Sequence, residues 1–256
     1  MRISEKFEDL KGREEAALIA YISCGDPSAE ETVKIASELI KGGVDILELG
    51  MPFSDPIADG PTIQAASQRA LEKGMDTDKY FDVAGRITGV PKVCMTYYNL
   101  IYQYGLDKFC KRCADSGIGG LIVPDLPLEE SDELMNACGA NGIDLIFILS
   151  PVNSEERIEK IGKASKGFLY LQSVLGVTGA REKMEFKLKE VLDKAKKYSN
   201  VPIAVGFGVS KPDQVRALVK QGVDGIIVGS AIIKRIKDDR KGLEAYVISL
   251  KEATAK

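Results

Sequence analysis

Residues 45–61 read Asp45-Ile-Leu-Glu-Leu-Gly50-Met-Pro-Phe-Ser-Asp-Pro-Ile-Ala-Asp-Gly-Pro61. The first six have the length of a strand, and side chains alternate across a strand. Leu47 and Leu49 then face one way, while Ile46, Glu48 and Gly50 face the other. A carboxylate stands between apolar neighbours close to the strand's end. The segment that follows, Gly50 to Pro61, is longer than the roughly 2 to 6 residues usual between a strand and a helix, and it carries Asp55 and Asp59. A loop of that length in a compact fold is expected to have work to do.

Similar short apolar runs recur on both sides, each followed by a turn signal and then a helical pattern, the signature of β/α alternation and a parallel sheet. They centre on Leu18 to Ser23, Asp45 to Leu49, Val93 to Tyr97, Gly120 to Val123, Asp144 to Leu149, Phe168 to Gln172, Pro202 to Gly206 and Gly225 to Val228. Helix starts are marked by Ser28 with Glu31, a capping box, and by Ser210 with Asp213, which resembles one. Eight units without a linker in 256 residues fit a closed barrel, which needs roughly 250. The expected fold is therefore α/β, a single (β/α)8 TIM barrel spanning residues 1–256 as one domain. Ile3, Phe7 and Leu10 at helical spacing add an extra amphipathic helix ahead of the first strand.

Composition narrows the chemistry. There is no histidine, so the commonest general base and the Ser-His and Cys-His pairs are excluded, and acid–base work falls to Asp, Glu, Lys, Tyr or Cys. Net charge is −3, which gives no field favouring nucleic acid. The most basic stretch, Arg181 to Asn200, reads as a solvated helix. No run approaches the ~20 apolar residues of a membrane span, and the charged N-terminus is no signal peptide. Five cysteines without disulfide-like spacing point to a reducing, cytoplasmic setting. Cys110 and Cys113 form a lone CxxC inside a helical pattern with no partner pair, so no metal site is expected.

In a barrel, chemistry belongs at the C-terminal ends of the strands. Glu48 is then an interior carboxylate at that end. It could instead sit in an internal ion pair, but no lysine or arginine stands at the inward end of another strand. The same parity turns Phe168, Tyr170 and Gln172 inward on the sixth strand, and Val93, Met95 and Tyr97 inward on the third. Aromatic and apolar surroundings raise a carboxyl pKa towards the range of a group that both gives and takes a proton. Gly206-Phe-Gly-Val-Ser210 and Gly229-Ser-Ala231 each run into a helix, as a phosphate grip does. The dinucleotide and P-loop glycine patterns are absent. Ser173 to Ala180, after the sixth strand, is a second long loop and a candidate lid.

Taken together, Glu48 to Gln64, Gly25-Asp-Pro27, Tyr98-Asn-Leu100, Pro124 to Glu130, Gly176-Val-Thr-Gly179, Gly206-Phe-Gly208 and Gly229-Ser-Ala231 resemble, in order and over nearly the whole chain, the tryptophan synthase alpha subunit family. That resemblance implies a lyase of tryptophan biosynthesis that cleaves indole-3-glycerol phosphate to indole and glyceraldehyde 3-phosphate, with no cofactor in this chain. It implies Glu48 and Asp59 as the catalytic pair, with Tyr170 and Thr178 in support. Gly179, Gly208, Gly229 and Ser230 are implied for the phosphate, and Tyr21, Met95, Tyr97, Ile122, Ile148 and Phe207 for the indole pocket. The implied partner is a pyridoxal-phosphate-dependent beta subunit in an alpha2beta2 complex. It would be met by Pro52, Pro56, Asn99, Tyr102, Pro127, Glu129 and Glu130. The family's pattern leaves two other readings open: a lyase that works alone and releases free indole, and a barrel that has lost its chemistry and only activates a partner.

Overall fold

The computed structural model describes residues 1–172, 181–206 and 208–256, except for the side chains of 181–187. Among these, nine parallel strands form one sheet: β1 (Ala17–Ser23), β2 (Ile46–Gly50), β3 (Lys92–Met95), β4 (Ile118–Ile122), β5 (Asp144–Ile146), β6 (Ile148–Leu149), β7 (Leu169–Gln172), β8 (Ile203–Gly206) and β9 (Gly225–Val228). Their order is β5-β4-β3-β2-β1-β9-β8-β7-β6. The two end strands are halves of one stretch of chain, separated only by Phe147, so the order closes on itself. This is the expected eight-unit TIM barrel, with its fifth strand interrupted.

The interruption has a local cause. The Phe147 N–H donates to the Ser165 hydroxyl at 3.1 Å instead of to a neighbouring strand. β5 pairs with β4 and β6 with β7. The seam is drawn together by Lys166 N–H to the Leu145 carbonyl, 3.0 Å, and Tyr170 N–H to the Phe147 carbonyl, 3.1 Å.

Alternation sorts the side chains as the sequence predicts. Leu18, Leu47, Leu49, Leu121 and Val205 point outward into the layer beneath the helices. Ala17, Ile19, Ile46, Val93, Ile122, Ile146, Phe168, Ala204 and Ile227 fill the interior. The N-terminal helix, Ile3–Gly12, buries Ile3, Phe7 and Leu10 against that interior cluster. Phe7 and Phe168 lie 5.9 Å apart between ring centroids. One end of the barrel is thereby plugged, and a ligand has access at the other.

Cap chemistry differs in detail from the sequence expectation. At the helix Ala29–Lys41 the Ser28 hydroxyl accepts from Glu31 N–H at 3.2 Å. The Glu31 carboxylate turns away to Lys34 and Arg240, so only half of the box forms. At the helix Pro212–Lys220 the cap is Lys211, not Ser210. The Gln214 side chain accepts from Ser210 N–H at 2.8 Å and Lys211 N–H at 3.0 Å. Proline stands at the first helical position, where its missing N–H costs nothing. Cys110 and Cys113 lie in the helix Leu106–Asp115, both buried against the core. Among the described residues, no helix is long and apolar enough to cross a membrane.

Candidate active site

A cavity of about 360 Å³ opens at the C-terminal ends of the strands, within the usual size range of small-molecule sites. Glu48 and Asp59 both line it, as do Tyr21, Met95, Ile148, Tyr170, Gln172, Gly208, Gly229 and Ser230. Two close approaches shape its floor. A Cβ on Gly50 would meet the Tyr21 hydroxyl at 2.1 Å, and one on Gly206 would meet the Tyr170 hydroxyl at 2.3 Å. Only glycine lets both phenols lie flat against the neighbouring strand.

Glu48 sits in the middle of β2, paired in register with Tyr21 on one side and Val93 on the other. It is 2% exposed, and among the described residues its Oε2 has no hydrogen-bond partner. A buried carboxylate oxygen without a hydrogen-bond donor is costly. Burial first, and the nearby Asp59 charge second, push its pKa up to about 8. Glu48 therefore holds a proton at neutral pH. Among the described residues, no cation pairs with Glu48.

Asp59 comes from residues 51–60, which fold back over the mouth. Gln64, in the helix Pro61–Glu72, donates through Nε2 to the Asp59 carbonyl at 2.9 Å. Tyr97 fixes the loop from the other side: its hydroxyl accepts from Ala58 N–H at 3.1 Å, and its ring stacks on Phe53 at 5.0 Å. Burial pushes the Asp59 pKa up to about 6, while its hydrogen bond with the Tyr97 hydroxyl pulls in the opposite direction. At neutral pH Asp59 is mostly ionised, and the two carboxyl groups differ in protonation state. Such a pair separates acid from anion by environment alone.

Across the cavity, Gly229 caps the helix Ser230–Asp238, whose first turn holds no acidic residue. Gly208 lies beside it in the lining. Free N–H groups at a helix start, with the positive end of its dipole, favour an anion there.

The cavity thus gathers Glu48, Asp59, Tyr170, Gly208, Gly229, Ser230, Tyr21, Met95 and Ile148. Thr178, Gly179 and Phe207 lie outside the described residues. Two predicted pocket residues stand elsewhere. Ile122 is fully buried in the packed layer of the interior, and Pro124, beyond the end of β4, supplies the wall on that side. Tyr97 lies past the end of β3, buried under the second loop, which it holds instead of lining the cavity. Sequence reading missed Pro124, Val209, Ile227 and the helix start from Gly60 to Ile63 as lining. Inward parity would have found Ile227. The others depend on how loops fold back.

A model of the tryptophan synthase alpha chain family matches residues 7–256. The chain belongs to the tryptophan synthase alpha chain family. It is 50% identical over 254 residues to the tryptophan synthase alpha chain of Methanosarcina barkeri, covering 98% of this chain and 96% of that one. It is 46% identical over 261 residues to the alpha chain of Picosynechococcus, covering 99% of each. Among solved structures, tryptophan synthase subunit alpha from Legionella pneumophila superposes with a TM-score of 0.90 at 34% identity, over 99% of this chain and 98% of the other. A chain of Mycobacterium tuberculosis tryptophan synthase gives a TM-score of 0.92 at 34% identity, over 100% and 98%. The alpha chain family's barrel and this chain's barrel coincide almost end to end.

Proposed function

We propose that Glu48 and Asp59 carry the alpha reaction of tryptophan synthase, the retro-aldol cleavage of indole-3-glycerol phosphate into indole and glyceraldehyde 3-phosphate. Membership in the tryptophan synthase alpha chain family makes the chain a lyase of tryptophan biosynthesis. The assignment of roles follows from the two protonation states. Glu48, protonated at neutral pH, gives its proton to carbon 3 of the indole ring. Its carboxylate then takes the proton of the hydroxyl on the adjoining chain carbon. The carbon–carbon bond breaks as that oxygen becomes a carbonyl, and the bonding electrons restore the aromatic ring. Positive charge builds on the ring nitrogen in between, and ionised Asp59 accepts a hydrogen bond from its N–H.

The phosphate sits against Gly208, Gly229 and Ser230; the family resemblance adds Gly179 to this grip and gives Thr178 the role of supporting Asp59. Tyr21, Met95 and Ile148 pack on the ring, and Tyr170 orients the chain near Glu48. Every proton transfer is supplied by a side chain of this chain, so no cofactor is needed within it, and residues 1–256 act as one domain.

The observation that carries this reading is a buried, unpartnered carboxyl oxygen in the same cavity as a second, loop-borne carboxylate, opposite an acid-free helix start. The test is indole release from indole-3-glycerol phosphate by the purified chain and by Glu48→Gln. Loss of one general acid–base group is expected to lower kcat by about 10²- to 10⁴-fold, with the phosphate site still binding. An unchanged rate would sink the proposal.

The partner is a tryptophan synthase beta subunit, in an alpha2beta2 assembly that receives the indole. Ile57 and Tyr102 stand 81% and 62% exposed near the mouth, and Asn99, Pro127, Glu129 and Glu130 are also exposed. Pro52 is buried and so is not part of that surface: it sits at the foot of the loop, where the chain leaves β2. Sedimentation of the chain with and without a beta chain gives the stoichiometry. Indole release that is already maximal alone would favour a lyase working by itself.

A further inference from the structure

The substrate has three parts, and the roles above leave one hydroxyl of its middle part without a partner. Glu48 and Asp59 serve the ring and the hydroxyl next to it, and the glycines across the cavity serve the phosphate. Between them runs a short carbon chain whose second hydroxyl also leaves water on binding. Much of the surrounding wall, at Met95, Ile148 and Ile227, is apolar. A hydroxyl buried there without a partner would weaken binding.

β7 borders the cavity next to β8 and lends it two side chains. Tyr170, deeper on its inward face, has its hydroxyl in the notch at Gly206. Gln172 lies one inward position nearer the rim, opposite Gly206 in the ladder. It is half-buried and lines the same cavity as the carboxylates and the phosphate wall. It is the only carboxamide among the described lining residues. A carboxamide both donates and accepts. That matches a hydroxyl, which also does both, better than a phosphate, which accepts only, or a ring N–H, which donates only.

We propose that Gln172 is a specificity-determining residue that hydrogen-bonds the second hydroxyl of the substrate's glycerol chain. This rests on the lyase reading above. The chain reads the middle of its substrate as well as its two ends, and tells glycerol phosphates from their deoxy counterparts at this position.

The experiment compares the unaltered chain with Gln172→Met and Gln172→Leu on two ligands. One is indole-3-glycerol phosphate. The other is indolylpropyl phosphate, whose chain carries no hydroxyl, bound as an inhibitor. Losing one hydrogen bond is expected to raise KM for the first about 3- to 10-fold, with kcat changed less than about twofold, a loss of uniform binding. The inhibition constant of the second should not move, which also shows that the variants fold. An equal loss on both ligands in both variants, pointing to a phosphate or packing contact, overturns the proposal. So does no change on either. Failure of the unaltered chain to release indole would instead overturn the lyase reading itself.

Discussion

Tyr97 touches the chemistry without lining the cavity. Its hydroxyl holds Ala58 N–H and reaches the Asp59 carboxylate, and that bond keeps the Asp59 pKa lower than burial alone would set it. Tyr97→Phe removes the bond and keeps the ring on Phe53. Asp59 then protonates at a higher pH, so the acidic limb of kcat/KM moves upward, and kcat/KM near pH 6 falls by about 3- to 10-fold for the loss of one hydrogen bond. A pH profile from 5 to 9 checks it, and an unmoved acidic limb would show that Tyr97 serves packing only. The same residue marks how far the site was legible in the sequence. Glu48 could be placed by strand parity because a strand has only two faces. Tyr97 also has inward parity, yet β3 ends at Met95, and beyond a strand's end parity no longer says where a side chain goes. What fixes Tyr97 is a loop folding back from 39 residues away, a contact no local pattern encodes.

At the scale of elements, the N-terminal helix contributes packing and no chemistry. Phe7 is 5% exposed, lodged between its helix and Phe168. Phe7→Ala should cost about 3 to 5 kcal/mol of stability, seen as a lower midpoint in urea, while KM for substrate at the far end stays unchanged. A rise in KM would mean that the plug and the mouth are coupled. The helix was legible because its apolar spacing has one period and one face. The strands were legible for a related reason: alternation holds for each, and each reading fell within two residues of the observed bounds. The break at Phe147 was not legible, since it depends on Ser165, which the following helix brings to it. Nor was the Lys211 cap, which relies on Gln214 reaching back two ways at once.

The stability of the whole molecule carries the signature of its buried acid. Glu48 keeps its proton in the folded barrel up to about pH 8, against an ordinary 4.5. As pH rises from about 4.5, the unfolded chain releases this proton and the folded barrel does not, so unfolding gains. The Glu48 contribution is present in full below about pH 4.5 and is lost as pH rises through about 8. Asp59, with its pKa up to about 6, acts in the same direction. Glu48→Gln has no proton to lose. Its unfolding free energy, from urea melts, should match the parent near pH 4 and exceed it near pH 9 by a margin on the order of a few kcal/mol. Parallel curves at all pH values would mean that Glu48 ionises as freely as in water.

The interrupted fifth strand has a consequence of its own. With β5 bonded to β4, β6 bonded to β7, and Lys166 and Tyr170 bridging the seam, the sheet of the described residues offers no free margin on which a foreign strand could begin to add. Open sheets must guard such margins with charge or proline. Here the ring itself removes the template, so concentrated solutions of the folded chain should not polymerise through their backbones.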